Sequence, residues 1–287
     1  MSRSLTPAQL IERSIQKKYR KELWTPFVLA VKRYALIGEG DRIAVCVSGG
    51  KDSMLLAKLV QLLQRHSDVP FEAKYIVMDP GYNPENRRRV EENAALLGIP
   101  ITVFETEVFD VANAAEQNPC YLCARMRRGH LYSQAQKLGC NKIALGHHFN
   151  DVIETTVMAM LYGAQLQGMM PKLHSTNFPG MELIRPLYCV HEEDIVAWRR
   201  YNHLEFLQCA CRFTENIAHS GDGVGQSKRQ EVKQLLKTLR RDNPDVEKSV
   251  FNAIHAVSLD TFPGWKSRGE AHSFLEWYDE WQQNSNA

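Results

Sequence analysis

The chain has 287 residues, long enough to bury the core of one large α/β domain with an appendage, and its 44% hydrophobic and 24% charged residues are ordinary for a soluble globular protein. Its 35 Lys and Arg against 33 Asp and Glu leave a net charge of +2, so overall charge selects no partner class. No apolar run approaches the roughly 20 residues of a membrane span, and no signal peptide opens the chain, so a cytoplasmic protein with no membrane partner is expected. Seven cysteines, an odd count, exclude a fully paired disulfide scaffold and point to metal or redox chemistry.

Residues 6–36 are helical in pattern. Thr6 stands as an N-cap before Pro7, Leu10, Ile11, Ile15, Leu23, Val28, Leu29 and Val31 recur at three- and four-residue spacing, and Pro26 is expected to break or kink the helix. Residues 1–42 hold nine Lys or Arg against four acids. Within them Lys17, Lys18, Arg20 and Lys21 suit an RNA backbone or, equally, a solvated helix face.

Gly38 and Gly40 then lead to a short β-branched run, Ile43 to Val47. It passes through Ser48-Gly49-Gly50-Lys51-Asp52-Ser53 into a helix with Leu55, Leu56, Leu59, Leu62 and Leu63 at helical spacing. Two glycines allow a tight turn and close approach of the backbone to a ligand. The helix N-terminus offers unpaired amides and a positive dipole end, and Lys51, Ser48 and Ser53 add donors. Asp52 suits Mg²⁺ rather than the anion. The pattern is not the Walker loop, whose lysine follows a longer glycine run.

Strands are expected at Ala73 to Met78, Ile101 to Phe104 and Lys142 to Leu145, with helices from Arg87 to Leu97 and ending near Leu138. This β-α alternation predicts a parallel sheet with helices on both faces. In such sheets ligands sit beyond the carboxyl ends of the strands. That rule gathers Ser48 to Ser53, Asp79, and the segment Gly146-His147-His148-Phe149-Asn150-Asp151.

A second constellation is Asn118-Pro119-Cys120-Tyr121-Leu122-Cys123, followed by Arg125, Arg127 and Arg128. Two thiols three apart at a helix start face the same way, and nearby arginines favour thiolate. A lone CxxC fits zinc, a redox disulfide or an iron–sulfur site, so its partners decide. Cys209 and Cys211 are the candidates for a third ligand, and three thiolates on a cubane cluster leave one iron open. Cys46, Cys140 and Cys189 sit in apolar contexts and read as small hydrophobes. The late run Lys228, Arg229, Lys233, Lys237, Arg240 and Arg241 either extends an RNA-binding face or is the wet side of the helix carrying Val232, Leu235, Leu236 and Leu239. Trp265, Phe274, Trp277, Tyr278 and Trp281 suit a packed helix better than a ligand cage.

The glycine loop looks like the SGGxDS pyrophosphate loop of the PP-loop ATP pyrophosphatases. With PCYLCARMRRGHLY and IALGHHFNDVIETTVMAMLYGAQLQGMMPKL in the same order, the chain resembles the tRNA 2-thiocytidine synthetase family over roughly residues 10–260. That resemblance implies an adenine nucleotide alpha hydrolase-like (Rossmann-like) α/β fold with helical N- and C-terminal extensions. The regions would be 1–40 basic and helical, 41–220 PP-loop and thiolation with the iron–sulfur site, and 221–287 helical.

It also implies thiolation of C2 of cytidine 32 in the tRNA anticodon loop, using ATP, Mg²⁺ and a 4Fe-4S cluster. Ser48, Gly49, Gly50, Lys51, Asp52 and Ser53 would bind ATP together with Asp79, Gly146, His147 and Asp151, and Asp52 would also carry Mg²⁺. Cys120, Cys123 and Cys209 would hold the cluster, with Cys211 as the alternative third ligand, because the spacing after Gln208 is one residue shorter than the family's. Cys120, Cys123, Cys209 and Asp52 would be the catalytic set. Where the family has two adjacent acids after the paired histidines, this chain has Asn150 and Asp151.

Expected partners are tRNA, a sulfur donor such as a cysteine desulfurase or free sulfide, and, in a homodimer, a second copy of the chain. Two other readings remain open from residues alone. One is a related PP-loop iron–sulfur enzyme that thiolates or desulfurates another nucleobase. The other is a non-catalytic RNA-binding module stabilised by zinc.

Overall fold

The computed structural model describes residues 5–109, 119–207 and 228–278, with backbone alone at 119–121 and 124. The chain divides into two units, residues 1–233 and 234–287. The first is built on a six-stranded sheet in the order β3-β2-β1-β4-β6-β5. Strands β1 (Arg42–Val47), β2 (Glu72–Asp79), β3 (Ile101–Glu105), β4 (Lys142–Ala144) and β6 (Glu182–Ile184) run parallel, and β5 (Lys172–His174) pairs antiparallel with β6 at the edge. Strand β1 is central, with Ile43 opposite Ala73 of β2 and Lys142 of β4.

Alternation along β1 explains the two layers around it. Ile43, Val45 and Val47 belong to a core shared with α3 (Lys51–His66), α4 (Pro84–Leu97), α7 (Glu192–Tyr201) and the N-terminal helices. Ala44 and Cys46 point the other way, into a core shared with Tyr132 and Ala135 of α5 (Pro119–Lys137). Both faces are covered, so the strand reads as a continuous apolar run. Cys46 is buried there as a small hydrophobe, and burial pushes its thiol up to about 12.

The N-terminal region folds as α1 (Pro7–Gln16), a π-helical turn (Arg20–Trp24) and α2 (Thr25–Arg33). Thr6 and Gln9 form a reciprocal capping box at the start of α1. The break falls at the π turn, ahead of Pro26, which occupies the first turn of α2 where a missing N–H costs nothing. These helices are not an independent layer: Ile11, Ile15, Leu23 and Phe27 are buried in the main core. Trp198 of α7 is fully buried, and its Nε1–H donates to Ser14 Oγ of α1 at 3.2 Å.

After β4 come α6 (Phe149–Gly163), the β5–β6 ribbon and α7; helix α8 (Lys228–Asp242) spans the boundary between the units in sequence. The second unit holds the end of α8, α9 (Val246–Ala253) and an antiparallel pair, β7 (Gly264–Ser267) with β8 (Glu270–Ser273). This corrects the helical expectation for Trp265, whereas Trp277 and Tyr278 do lie in a short helical segment. Arg268 at φ 52° and Gly269 at φ 92° make a two-residue turn of the primed type that right-twisted hairpins require. Trp265 stacks across the strands on His272 at 5.3 Å, and Trp281 lies outside the described residues. Among the described residues, no helix is long and apolar enough to cross a membrane.

Replacing Trp198 with alanine removes the side chain that joins α7 to α1, and should cost about 3–5 kcal/mol of stability. Urea unfolding followed by the fluorescence of the remaining tryptophans would show the midpoint fall with an unchanged m value.

Candidate nucleotide-binding site

The phosphate loop is shaped by its own hydroxyls. Ser53 Oγ donates to Gly50 O at 3.0 Å and accepts from Ser48 N at 3.0 Å and Ser48 Oγ at 3.1 Å, closing Ser48 to Ser53 into a ring. Gly49 has φ +82°, and a Cβ there would lie 2.7 Å from Val90 Cγ2 and 3.0 Å from Leu207 Cδ1. Conformation and space both demand glycine. Leu207, the last described residue before Cys209, donates its N–H to Gly49 O at 3.1 Å, and Tyr82 Oη donates to Ser48 O at 3.3 Å. The loop then opens α3 with Gly50 as N-cap, and among the described residues no side chain caps its first amides.

The loop after β4 lies directly against this turn. A Cβ on Gly146 would sit 3.1 Å from Ser53 N and 3.2 Å from the Asp52 carbonyl carbon, both backbone atoms. Helix α6 follows with a capping box in which Asp151 Oδ2 accepts from His148 N at 3.0 Å and His148 Nδ1 accepts from Asp151 N at 3.4 Å. The other ring nitrogen, Nε2, lies 3.8 Å from Asp52 Oδ1. Asp52 Oδ1 has no hydrogen-bond partner among the described residues, nor has His147 Nδ1. Burial, the positive charge of Arg185 and further cations hold His147 neutral at pH 7.

Two ion-pair chains flank the loop. Lys51 Nζ is 3.0 Å from Asp52 Oδ2 and 3.2 Å from Glu192 Oε1, and Glu192 also binds Lys233. Burial opposes the ammonium of Lys51, but Asp52 and Glu192 outweigh it and raise its pKa. Burial likewise opposes ionisation of Glu192, yet Lys233 and Lys51 hold its carboxyl down to about 2. The second chain joins Arg229 to Asp151 Oδ1 at 2.8 Å and to Glu154 at 3.4 Å. Asn150, where an acid was expected by resemblance, accepts the Glu192 N–H at 2.9 Å and so fixes the start of α7.

These elements enclose a cavity of about 410 Å³. One wall is Ser48, Gly50, Asp52 and Ser53, the floor is Val47, Met78 and Leu145 at the strand ends, and the other walls are Gly146, His147, Asp151, Arg127 and Arg128. Cys123 is half-buried one helical turn before Arg127 on α5.

Of the residues singled out by sequence, the structure brings Ser48, Gly50, Asp52, Ser53, Gly146, His147, Asp151, Arg127 and Arg128 to one cavity, with Gly49 and Lys51 in the same loop. Arg125 is exposed on α5. Asp79 stands at the end of β2, but its Oδ1 accepts from Gly81 N and Tyr82 N and its Oδ2 from Arg87, so it shapes a turn and is not among the cavity's lining residues. Lys17, Lys18, Arg20 and Lys21 lie away from the cavity: α1 ends against His66, at the opposite end of α3 from the loop.

The Cys120 side chain, Cys209 and Cys211 lie outside the described residues. Among the described residues, no three His, Cys, Asp or Glu side chains are grouped to hold a metal ion. Asp52 with phosphate oxygens and water would nevertheless suit Mg²⁺, which needs only one or two carboxylates.

Neither reading of the basic run on α8, an RNA-binding face or a wet helix side, describes two of its positions. Arg229 and Lys233 are turned onto Asp151 and Glu192, because burying those carboxylates without a cation would be costly. The sequence reading missed Glu192, which had only the look of a helix-start acid in Glu192-Glu193-Asp194. It also missed Tyr82 and the buried Arg185, whose Nε has no partner among the described residues and whose pKa is lowered to about 10 by burial and Arg128, still cationic at pH 7.

A family model described as the PP-loop domain matches residues 13–212. The tRNA-cytidine(32) 2-sulfurtransferase of Citrifermentans bemidjiense is 36% identical over 232 residues, 79% of this chain and 87% of that protein. The enzyme of the same name from Geotalea uraniireducens is 37% identical over 232 residues, 79% of this chain and 88% of that one. Among solved structures, the U34-tRNA thiolase NcsA from Methanococcus maripaludis, determined with its 4Fe-4S cluster, shares the fold: TM-score 0.62, 19% identity, 80% of this chain and 76% of that one.

Two outcomes follow from the geometry. Gly146→Ala forces backbone against backbone and should cost about 1–3 kcal/mol while weakening ATP binding, measured by calorimetry. Glu192 has a folded pKa below its unfolded value of 4.5, so its stabilisation is full above pH 4.5 and is lost as pH falls from there towards about 2. Acid unfolding of Glu192→Gln should therefore show a shallower pH slope in that window.

Proposed function

Because this chain belongs to the PP-loop domain family and, within it, to the tRNA-cytidine(32) 2-sulfurtransferases, we propose that it uses ATP to activate the C2 carbonyl of cytidine 32 in the tRNA anticodon loop and replaces that oxygen with sulfur. The observation that carries this reading is the single cavity lined by the phosphate loop on one side and by Arg127 and Arg128 of the cysteine-bearing helix α5 on another.

In this reading the free amides at the start of α3, the hydroxyls of Ser48 and Ser53 and the Lys51 ammonium hold the β- and γ-phosphates. Asp52 turns its unpartnered Oδ1 to Mg²⁺. The carbonyl oxygen attacks the α-phosphorus in line, pyrophosphate leaves, and the adenylated oxygen then departs as AMP when sulfur attacks C2. His147 is neutral in the cavity wall and offers a hydrogen-bonding ring nitrogen to the base or the attacking sulfur. Arg127 and Arg128 meet the RNA phosphates beside the target nucleotide.

The donor set suits an iron–sulfur group: Cys123 lies one turn before a cavity-lining arginine, and the chain leads into Cys209 and Cys211 from Leu207, whose amide is bonded to the phosphate loop. A 4Fe-4S cluster held by Cys120, Cys123 and either Cys209 or Cys211 would supply the sulfur through an iron that carries no cysteine.

Anaerobic protein supplied with ATP, Mg²⁺, unmodified tRNA and sulfide, or a cysteine desulfurase with cysteine and a dithiol reductant that releases the persulfide sulfur as sulfide, should yield AMP and 2-thiocytidine by nucleoside mass spectrometry. Asp52→Asn should lower both by at least about 10²-fold, in line with losing a group that stabilises transition-state charge. Iron and sulfide content of Cys209→Ala beside Cys211→Ala should identify the third ligand, since only one of them should lose the cluster. Full thiolation by a protein without iron would refute the sulfur route.

A further inference from the structure

The fold joins two distant basic segments on a surface away from the cavity. Tyr19 Oη donates to Ala197 O at 3.1 Å, and the Tyr19 and Tyr201 rings meet edge to face at 5.8 Å. That contact seats the run Lys17, Lys18, Arg20 and Lys21 beside Arg200 and Tyr201 at the end of α7. Lys18 Nζ lies 3.7 Å from the centre of the Tyr201 ring, which is 49% exposed.

Lys17, Lys18, Arg20, Lys21 and Arg200 are exposed, and none has a carboxylate within 4.0 Å among the described residues. An ordinary solvated face of this protein looks different. On α4 the consecutive Arg87, Arg88 and Arg89 each pair with a glutamate four residues away. An unneutralised cluster of like charges opposes its own formation unless an anion is shared between its members.

We propose that this patch is a second docking surface for tRNA, gripping the phosphate backbone at a place separate from the target nucleotide. Only the identity of the RNA rests on the thiolation reading. From Glu192, beside Lys51, to Tyr201, α7 spans about 14 Å at 1.5 Å per residue. The cavity and the patch are thus two contacts at the two ends of one helix. Phosphate contacts of this kind supply affinity and register without reading sequence.

The test uses the full chain and measures tRNA affinity by filter binding over a range of salt concentrations, with ATP affinity as a control for the cavity. Lys17→Gln, Lys18→Gln and Lys21→Gln combined should weaken tRNA binding at least about tenfold near physiological salt and reduce the slope of log affinity against log salt by about 0.9 per lost duplex contact. ATP affinity should not change, and Arg at all three positions should restore binding. Tyr201→Ala should weaken tRNA binding by about two- to fivefold, the scale of one cation–π contact, whereas Tyr201→Phe keeps the ring and should not.

Under turnover the combined variant should raise KM for tRNA with kcat unchanged. Unchanged tRNA affinity and salt slope, or a loss confined to anionic lipid vesicles, would overturn the proposal. If the binding shift holds while no 2-thiocytidine forms, the thiolation reading falls and the docking surface stands.

Discussion

The close approach of Gly146 to the first turn of α3 is the constraint on which the rest of the site depends. Strands β1 and β4 are neighbours in the sheet, so the loops at their carboxyl ends emerge side by side. A Cβ at Gly146 would press on the backbone of Asp52 and Ser53 at 3.1–3.3 Å, tighter than ordinary contact, so glycine lets the second loop lie there without displacing them. Once it does, α6 starts with His148 facing Asp52 and with Asp151 held by the same capping box. Asn150 then receives the first amide of α7, placing Glu192 within reach of Lys51. One bare backbone contact thus fixes three helix starts around a phosphate loop.

The charges around the loop are neutralised before any nucleotide arrives. Lys51 is shared by Asp52 and Glu192, and Glu192 is shared by Lys51 and Lys233. Turning Lys51 to a phosphate would leave a half-buried carboxylate unpaired if Lys233 were absent, and breaking such a pair typically costs about 3–5 kcal/mol. Lys233 keeps Glu192 partnered, so in the proposed reaction the exchange would be between equivalents: Lys51 would trade carboxylates for phosphate oxygens, and Asp52 would be released to a cation. Arg229 does the same service for Asp151, within the wall that faces the cavity. These cations of α8 serve the site by holding its acids, a different task from meeting RNA.

The sheet and the phosphate loop were legible because their signals are local. A β-branched run, two glycines and a leucine-spaced helix follow one another between Ile43 and Leu63, and the structure keeps that order. Strand β4 is as short as β5 and β6, but its apolar run continues through Leu145 after a helix; the three-residue β5 and β6, Lys172-Leu173-His174 and Glu182-Leu183-Ile184, offer neither an apolar run of that length nor a period of two. The inward turn of Arg229 and Lys233 was hidden for another reason. Their partners lie 78 and 41 residues away, and a helix carrying basic residues looks the same in sequence whether they meet water or carboxylates. Asp79 shows the converse: its place at a strand end was read correctly, but its hydrogen bonds to a turn and to Arg87 depend on atoms that no motif names. In the aromatic tail Trp265 misled, because it pairs with His272 across a hairpin whose deciding feature is the Arg268-Gly269 turn between them.

The size and lining of the cavity constrain how the proposed reaction is ordered. At about 410 Å³ it falls at the small end of sites that hold one drug-sized ligand. It cannot enclose both a nucleotide and a tRNA base with its backbone. The loop wall and the apolar strand ends suit the triphosphate and its nucleoside, whereas the arginine wall leads outward along α5. ATP bound against the loop would then form part of the surface that the RNA meets, and the RNA would close the remaining opening. That order leaves the activated carbonyl covered when it forms, so water has less access to it than the incoming sulfur does. A second hold on the tRNA away from the cavity fits this order. It supplies affinity without occupying space near the loop, and the cavity is left to recognise a single base.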